Sequence, residues 1–432
     1  MSDWINWFRK ASPYIHQHRN KTMVVALSGD VFQHPNFESL THDIALLSSL
    51  GIRLVLVVGA RPQIETALKR HGLVSEFQNG LRITTAETMP IVLEAYGRLS
   101  SELEAKLSMG VINSPMHGSS LRVLSGNFIT AKPIGVRNGI DYHFTGKVRR
   151  VESSLINEHL LTGGVIIMSA LGHSVTGDVF NLSYEALASE VAVQLKADKL
   201  ILLGTEARLD DEVGNRIRQL TSEQVESLVA KGELGRPLAE RLSAAAQSCQ
   251  SGVARAHLLD FMRDGALLQE LFTRDGIGIM VSLESYDSVR KARIEDVNGI
   301  QELIQPMEER GILVRRSREL LENELGSFTV NLRDNAIIAC AALYSHSDEK
   351  CGELACFAVD KAYRREGRGD HLLERIENQA IEQGLEFIFV LTTQTEHWFL
   401  ERGFVTSTLE ALPAGKRYNS VRNAKVLRKQ LV

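Results

Sequence analysis

Short apolar runs that alternate with amphipathic stretches constrain the fold of this chain more than any other feature. The runs fall at residues 23–27, 53–58, 165–169, 199–203, 254–259 and 277–283, with helix-period stretches such as 37–50, 62–71 and 184–196 between them. Runs that are apolar on both faces and too short for helices read as strands buried on both sides. The amphipathic stretches then read as helices covering a mainly parallel sheet. Gly59, Gly163, Gly164 and Gly204 fall where such strands should begin or end. The expectation is an open α/β three-layer sandwich from about residue 21 to 284.

The pattern changes after Tyr286. A short strand is expected at 291–294, and Glu295-Asp296 opens a helix toward Glu309. Strand-like stretches at 328–332, 337–343 and 353–359 follow closely, then a helix at 369–383, a strand at 387–392 and a helix at 397–402. Helices beside hairpin-linked strands predict a second, α+β domain. With 432 residues the chain exceeds one ordinary core. The expected division is a helical segment at 1–20, a sheet domain at 21–284, a linker at 285–290 and an α+β domain at 291–432. Trp4, Trp7, Phe8 and Tyr14 among basic residues suggest that the first helix docks elsewhere rather than joining the core.

Composition removes several function classes. A net charge of −4 gives no electrostatic case for nucleic acid or an anionic membrane. There is no apolar signal core at the N-terminus and no apolar run long enough to span a bilayer. Cys249, Cys340, Cys351 and Cys356 show no CxxC spacing, so no disulfide framework, metal or redox role is expected of them. A cytoplasmic protein is the expectation.

The richest chemistry lies in residues 355–370, Ala-Cys-Phe-Ala-Val-Asp-Lys-Ala-Tyr-Arg-Arg-Glu-Gly-Arg-Gly-Asp. A strand at 356–359 runs into Arg364-x-x-Gly367-x-Gly369, and a helix begins at once. Such glycines let successive N–H groups converge with the positive end of the helix, which suits a pyrophosphate. Arg364, Arg365 and Arg368 would add charge. A glycine-rich turn with solvated arginines explains the same residues. A dinucleotide-binding turn does so less well, since no second glycine spacing or ribose-binding acid follows.

The segment resembles the acyl-CoA pyrophosphate loop of the GNAT acetyltransferases. Phe389-Val-Leu-Thr-Thr393 and His397-Trp-Phe-Leu-Glu-Arg-Gly-Phe404 are similar to that family's next strand and helix-turn. The resemblance implies acetyl-CoA as co-substrate. Cys356, Phe357, Ala358 and Val359 would offer main-chain groups to the pantetheine arm, and Arg364, Arg365, Gly367, Arg368 and Gly369 would hold the pyrophosphate.

An amine that attacks a thioester must lose a proton, and a nearby carboxylate can take it. Glu353 begins the strand leading to the cofactor loop, and reads either as that base or as a solvated strand-end acid. The leaving thiolate needs only a weak hydroxyl donor, because thiol pKa is about 8.5; Thr392 can serve, with Thr393 as substitute. Arg315, Arg316 and Arg318 read either as a solvated face or as a carboxylate clamp. Arg316, with Arg422 as second anchor, resembles the positions that hold glutamate in one GNAT subgroup.

The first half raises a separate question through Met23-Val-Val-Ala-Leu-Ser-Gly-Asp-Val-Phe32, an apolar strand meeting a tight turn. It resembles the amino-acid kinase fold, specifically acetylglutamate kinase, over nearly its whole length. The strand-end lysine of that family is absent at Leu27. The second glycine-rich turn reads Gly59-Ala60-Arg61-Pro62, so Arg61 intrudes. The catalytic Asn-x-Asn-Ala-Asp run reads Asn181-Leu-Ser-Tyr-Glu185. Three such departures predict that phosphotransfer is lost. Lys199 reads as a surface strand-end lysine.

Residues 270–278, Glu-Leu-Phe-Thr-Arg-Asp-Gly-Ile-Gly, resemble the arginine-binding turn of arginine-inhibited acetylglutamate kinases. Glu270 can accept a guanidinium fork, and amides around Gly276 and Gly278 can meet an α-carboxylate. The family also uses the helix end at Lys196 and an N-terminal helix tyrosine, matched by Tyr14. An ordinary helix-to-strand turn explains the glycines but not the neighbouring acid.

A kinase-like domain followed by a GNAT domain is similar to the bacterial-type N-acetylglutamate synthases over almost the whole chain. That resemblance assigns Glu353 as base and Thr392 as acid, threonine replacing the serine of some members. It implies acetylation of L-glutamate, the first step of arginine synthesis, with L-arginine as effector and a homo-oligomer, hexameric in the family. Two alternatives stay open: an active kinase with an accessory acetyltransferase, and an arginine-responsive protein acetyltransferase. No metal is expected.

Overall fold

The computed structural model describes residues 2–109, 121–205, 207–210, 214, 216–284, 288–333, 336–364, 367–413, 416 and 423–431. The chain forms two compact units, Met1–Ser285 and Tyr286–Val432.

The first unit is built on an eight-stranded sheet. Its order is Gln219–Thr221, Ile279–Ser282, Arg255–Asp260, Lys199–Gly204, Thr22–Leu27, Arg53–Val58, Gly164–Ser169 and Arg122–Leu124. All neighbours are parallel except Arg255–Asp260 with Ile279–Ser282. Thr22–Leu27 and Lys199–Gly204 are buried at every position, which explains their unbroken apolar runs. Helices Met89–Ser108, Ser153–Leu161, Tyr184–Gln194 and Arg236–Gln250 pack on this sheet. A four-stranded sheet from Ile129–Pro133, Gly146–Val151, Leu171–His173 and Val179–Asn181 completes the unit.

Helix Ser2–His18 docks on its own unit. Ala11 is buried, and Tyr14 and Ile15 pack against the core. The ring of His18 bonds the Leu271 carbonyl at 2.8 Å through Nε2 and lies against Phe272. Ile5, Trp7 and Phe8 on the same helix stay exposed.

The second unit is a seven-stranded sheet ordered Ser288–Lys291, Phe328–Arg333, Ala336–His346, Cys351–Val359, Phe387–Thr392, Lys425–Gln430 and Val405–Ser407. Residues 288–290, expected as linker, are part of its first strand, paired with Phe328–Arg333. Ser-Val-Arg-Lys is too short and polar to give an apolar strand signal. Side chains alternate between two cores, as the strand period of two requires. Ala339, Ala341 and Leu343 meet Leu372, Leu373 and Ile376 of helix Arg368–Glu382. Cys340 and Ala342 meet Val297, Ile300 and Ile304 of helix Val297–Glu309.

Strands Cys351–Val359 and Phe387–Thr392 run parallel, but only Cys351–Leu354 pair with Phe387–Val390. Beyond that point the ladder stops. The cause is local to Cys351–Val359, where pairing with the opposite neighbour shifts register between Cys340 and Ala342. Two residues, Cys356 and Phe357, then oppose Ala341, and Cys356 takes φ +49°. Such a bulge bends the strand and increases its twist, which opens a wedge toward Phe387–Thr392. Among the described residues no helix is long and apolar enough to cross a membrane.

Candidate active site and effector site

The wedge holds a cavity of about 300 Å³. Its walls include Leu354, Ala355, Cys356, Phe357 and Val359 on one strand, and Val390, Leu391 and Thr392 on the other with Thr393, Gln394 and Thr395 just past its end. Past Leu354 the strand edge facing the wedge has backbone N–H and C=O groups without a sheet partner. A pantetheine arm, itself an extended chain of amides, can supply those bonds. Arg364, Gly369, Asp370, Trp398 and Arg402 close the far end. Gly367 caps helix Arg368–Glu382 with φ +69°, the turn that only glycine adopts without strain. A Cβ on Gly369 would lie 2.9 Å from the Trp398 ring, so this glycine lets Trp398 close on the helix start. The groove fits an acyl-CoA.

The arginines of the loop divide. Arg364 is exposed and donates to the Val359 carbonyl at 3.1 Å, so it stands at the groove. Arg368, expected as a pyrophosphate ligand, is only 4% exposed and its guanidinium lies over the Tyr363 ring at 4.5 Å. Its guanidinium is turned onto Tyr363, and it is not among the residues lining the groove. Ala358 likewise points into the core, leaving only its backbone for a ligand. Arg365 lies outside the described residues.

A second cavity of about 450 Å³ adjoins the groove, sharing Ile312, Leu313, Leu354, Ala355, Cys356 and Leu391. Arg315, Arg316, Tyr344, Glu353 and Lys416 also line it. Glu353 is 7% exposed and sits opposite Tyr344 on one neighbouring strand and Phe389 on the other. It is therefore a buried acid of the second cavity, next to Leu354, which lines both. Both its carboxylate oxygens lie 2.5 Å from Lys416 Nζ. Arg316 donates its backbone N–H to Glu308 at 3.0 Å and its guanidinium to the Val314 carbonyl at 3.1 Å. Tyr344 donates to Glu324; burial, then this bond, push its phenol above the ordinary value. Arg422 lies outside the described residues.

Thr392 lies in the groove with Thr395 beside it, 2.8 Å between hydroxyls. The Thr395 backbone N–H donates to Thr392 Oγ1 at 3.0 Å. Its oxygen thus accepts from the backbone, and either hydroxyl of the pair can donate to the other.

In the first unit, Glu270 is 9% exposed and fully engaged. Oε1 accepts from His257 Nδ1 at 2.6 Å, and Oε2 from the N–H groups of Ile277 at 2.6 Å and Gly278 at 2.8 Å. Burial alone would raise its carboxyl, but His257 and the two amides together hold it down to about 2. The Gly278 amide, expected to meet a ligand carboxylate, is thus turned onto Glu270 itself. Gly276 has φ +57°, and a Cβ there would come 2.4 Å from Glu270 Oε2, so the turn closes over the acid only because it is glycine.

Lys199, expected at the surface, is buried with Nζ 3.4 Å from His257 Nε2. Burial, then Lys199, lower the His257 pKa. A polar string therefore runs Lys199, His257, Glu270 and the turn amides, with His18 and Tyr14 of the first helix beside it. Lys196 is exposed, in left-handed conformation just past helix Tyr184–Gln194. Sequence reasoning missed His257, Lys416 and Tyr344. Only His257 left a trace, as the one imidazole inside a strand otherwise apolar from 256 to 259.

The kinase-like phosphate turns are filled by the chain's own side chains. A Cβ at Gly59 would lie 2.7 Å from the Tyr184 ring, and the place beside Gly204 is taken by the buried Arg241 guanidinium. Gln63 Nε2 donates to the Gly29 carbonyl at 2.7 Å. Arg61 pairs with Glu240 at 3.0 Å. Burial, then Glu240, raise the pKa of Glu185.

These folds and this groove define a GNAT-class acyltransferase joined to an amino-acid kinase fold. The chain matches the amino acid kinase family over residues 21–260 and the acetyltransferase (GNAT) family over 297–404. The amino-acid acetyltransferase of Pseudomonas fluorescens (strain Pf0-1) is 53% identical over 434 residues, covering 100% of both chains. That of Ectopseudomonas mendocina (strain ymp) is 52% identical, again over 100% of each. The chain therefore belongs to the amino-acid acetyltransferase family. N-acetylglutamate synthase from Neisseria gonorrhoeae, complexed with coenzyme A and L-arginine, superposes with TM-score 0.86 at 34% identity over 99% of each chain. The same enzyme complexed with coenzyme A and N-acetyl-glutamate gives TM-score 0.64 at 36% identity over 100% of each chain.

Proposed function

We propose that this chain transfers the acetyl group of acetyl-CoA to the α-amino group of L-glutamate, and that L-arginine regulates it through the first unit. The observation that carries this reading is the buried Glu353, which lines an arginine-bearing cavity next to Leu354, a residue that cavity shares with the strand-edged groove. Acetyl-CoA lies along the wedge, its thioester at residues 354–356. Arg316 and Arg422 hold the acceptor's carboxylates. Glu353 takes a proton from the ammonium, directly or through water, and the free amine adds to the thioester carbonyl. When the intermediate collapses, Thr392 gives its proton to the departing thiolate and regains one as the nitrogen loses its second proton. Groups fixed in place before reaction lower the barrier without reorganising.

Arginine binds at Tyr14, Lys196, Glu270, Gly276 and Gly278, the residues that the family resemblance assigns to the effector. Gly278 opens the last strand of the first unit, Ile279–Ser282, so a ligand there acts on the chain just before the second unit begins. The Neisseria relative, complexed with both coenzyme A and arginine, supports the pairing of ligands. The protein is read as a cytoplasmic homo-oligomer, a hexamer as the family resemblance implies; light scattering of the purified chain checks the assembly.

The test is CoA release across a panel of free amino acids and lysine-bearing peptides, with and without arginine. Turnover confined to glutamate and altered by arginine supports the proposal. Preference for peptides would replace glutamate with protein lysine as acceptor.

A further inference from the structure

Lys416 holds a primary ammonium where the acceptor's amine belongs. Its Nζ lies 2.5 Å from both oxygens of Glu353, with the Lys416 side chain 25% exposed and that of Glu353 9%. It lines the acceptor cavity, which meets the acyl-CoA groove along Leu354, Ala355 and Cys356. An ε-ammonium and an α-ammonium present the same head group: a tetrahedral nitrogen with three donors. A carboxylate that takes a proton from one is chemically able to take it from the other. Elsewhere on the chain, a surface lysine such as Lys350 pairs with the exposed Glu386 at 2.7 Å and lines neither cavity.

We propose that Lys416 is a site of self-acetylation, modified by the chain's own transferase centre when acetyl-CoA is bound and no amino-acid acceptor is present. The inference rests on the reading of Glu353 as base and of the wedge as donor site. Glu353 removes one proton from the Lys416 ammonium. The freed amine adds to the thioester carbonyl, forming the C–N bond. Collapse breaks the C–S bond, and the thiolate takes the second proton lost by nitrogen, leaving the neutral amide and CoA thiol. Glu353 then releases its proton to solvent. One ammonium and one thioester thus become one amide, one thiol and one proton, with no oxidant or further reactant. The product carries no charge, so Glu353 loses its ion partner and the cavity loses a cation. Glutamate competes for the same carboxylate, so saturating acceptor suppresses the modification.

The test incubates the full-length chain with acetyl-CoA carrying an isotopically labelled acetyl group, without amino acid. Peptide mass spectrometry follows the label at Lys416 and, as reference for uncatalysed acetylation, at Lys350. Glutamate-dependent CoA release is measured on the same preparation. Lys416 should label about a hundredfold or more faster than Lys350, the low end of what a positioned base contributes. The excess should disappear in Glu353→Gln and, with no substitution at all, under saturating glutamate. If Lys416 labels no faster than Lys350 while glutamate is acetylated, self-acetylation is overturned and the reading of the site survives. Fast labelling that neither glutamate nor Glu353→Gln reduces also overturns it, since the base is then uninvolved. If the preparation neither labels Lys416 nor acetylates glutamate, both fall together.

Discussion

Arg316 illustrates how a single residue ties backbone to chemistry. Its N–H is anchored on Glu308, which fixes the segment at the cavity wall, while its guanidinium donates to the Val314 carbonyl and bonds the Tyr344 side chain. A planar fork of five donors in that position suits a carboxylate better than a lysine would. Arg316→Ala should therefore raise the KM for glutamate by roughly 1.5–3 kcal/mol, the worth of a hydrogen bond to a charged group. Steady-state kinetics in both substrates check this; an unchanged glutamate KM with a raised acetyl-CoA KM would move Arg316 to the donor side. Residue positions were legible in the sequence where they depend on place along a strand: Glu353 and Thr392 both line cavities of the second unit. They were not where they depend on which way a long side chain turns. Arg368 reads like its neighbour Arg364, yet one is buried over Tyr363 and the other exposed. Lys416 carried no sequence signal, because the residue it meets is distant along the chain.

At the scale of elements, the first helix is held by contacts that depend on neutral or ionised side chains. His18 is lowered from 6.5 to about 4, by burial first and then by Lys199. A base with a depressed folded pKa contributes stability that is complete above its unfolded value. That contribution is lost as pH falls from about 6.5 through about 4. Glu270, lowered from 4.5 to about 2, contributes above its unfolded value and is lost between about 4.5 and about 2. Helix Ser2–His18 should accordingly loosen before the turn around Glu270 does. Hydrogen exchange of the helix amides between pH 7 and 4, corrected for intrinsic rates, checks the order; simultaneous loss of both would contradict it. Tyr14→Ala should raise the arginine concentration for half effect by about tenfold, equivalent to about 1.4 kcal/mol. An arginine titration of CoA release that is unmoved would take Tyr14 out of the effector site. The strands themselves were legible because their apolar runs are continuous. Ser288–Lys291 escaped because an edge strand of four residues needs no apolar pattern to pair.

Across the whole molecule, a large kinase-shaped unit has kept its sheet and lost its phosphate site. Leu27 is fully buried where a cation would stand, and Tyr184, Arg241 and Gln63 occupy the space beside the glycines. Phosphoryl transfer needs room for the moving group beside its stabilising charges, and these side chains fill that room. No acetylglutamyl phosphate should form from N-acetylglutamate and Mg-ATP above a no-enzyme control; measurable product would return the kinase reading. The lost lysine was visible in the sequence, but the filling of the site was not, since Tyr184 and Arg241 reach the glycines from distant helices. What remains is the claim that chemistry resides in the second unit, with Glu353 as its base. The most direct test compares Glu353→Gln with the parent chain in glutamate-dependent CoA release, with acetyl-CoA affinity measured by calorimetry on both. The account predicts unchanged affinity and turnover lower by about 10² to 10⁴, the range for a general base. Turnover near the parent's at neutral pH would contradict it.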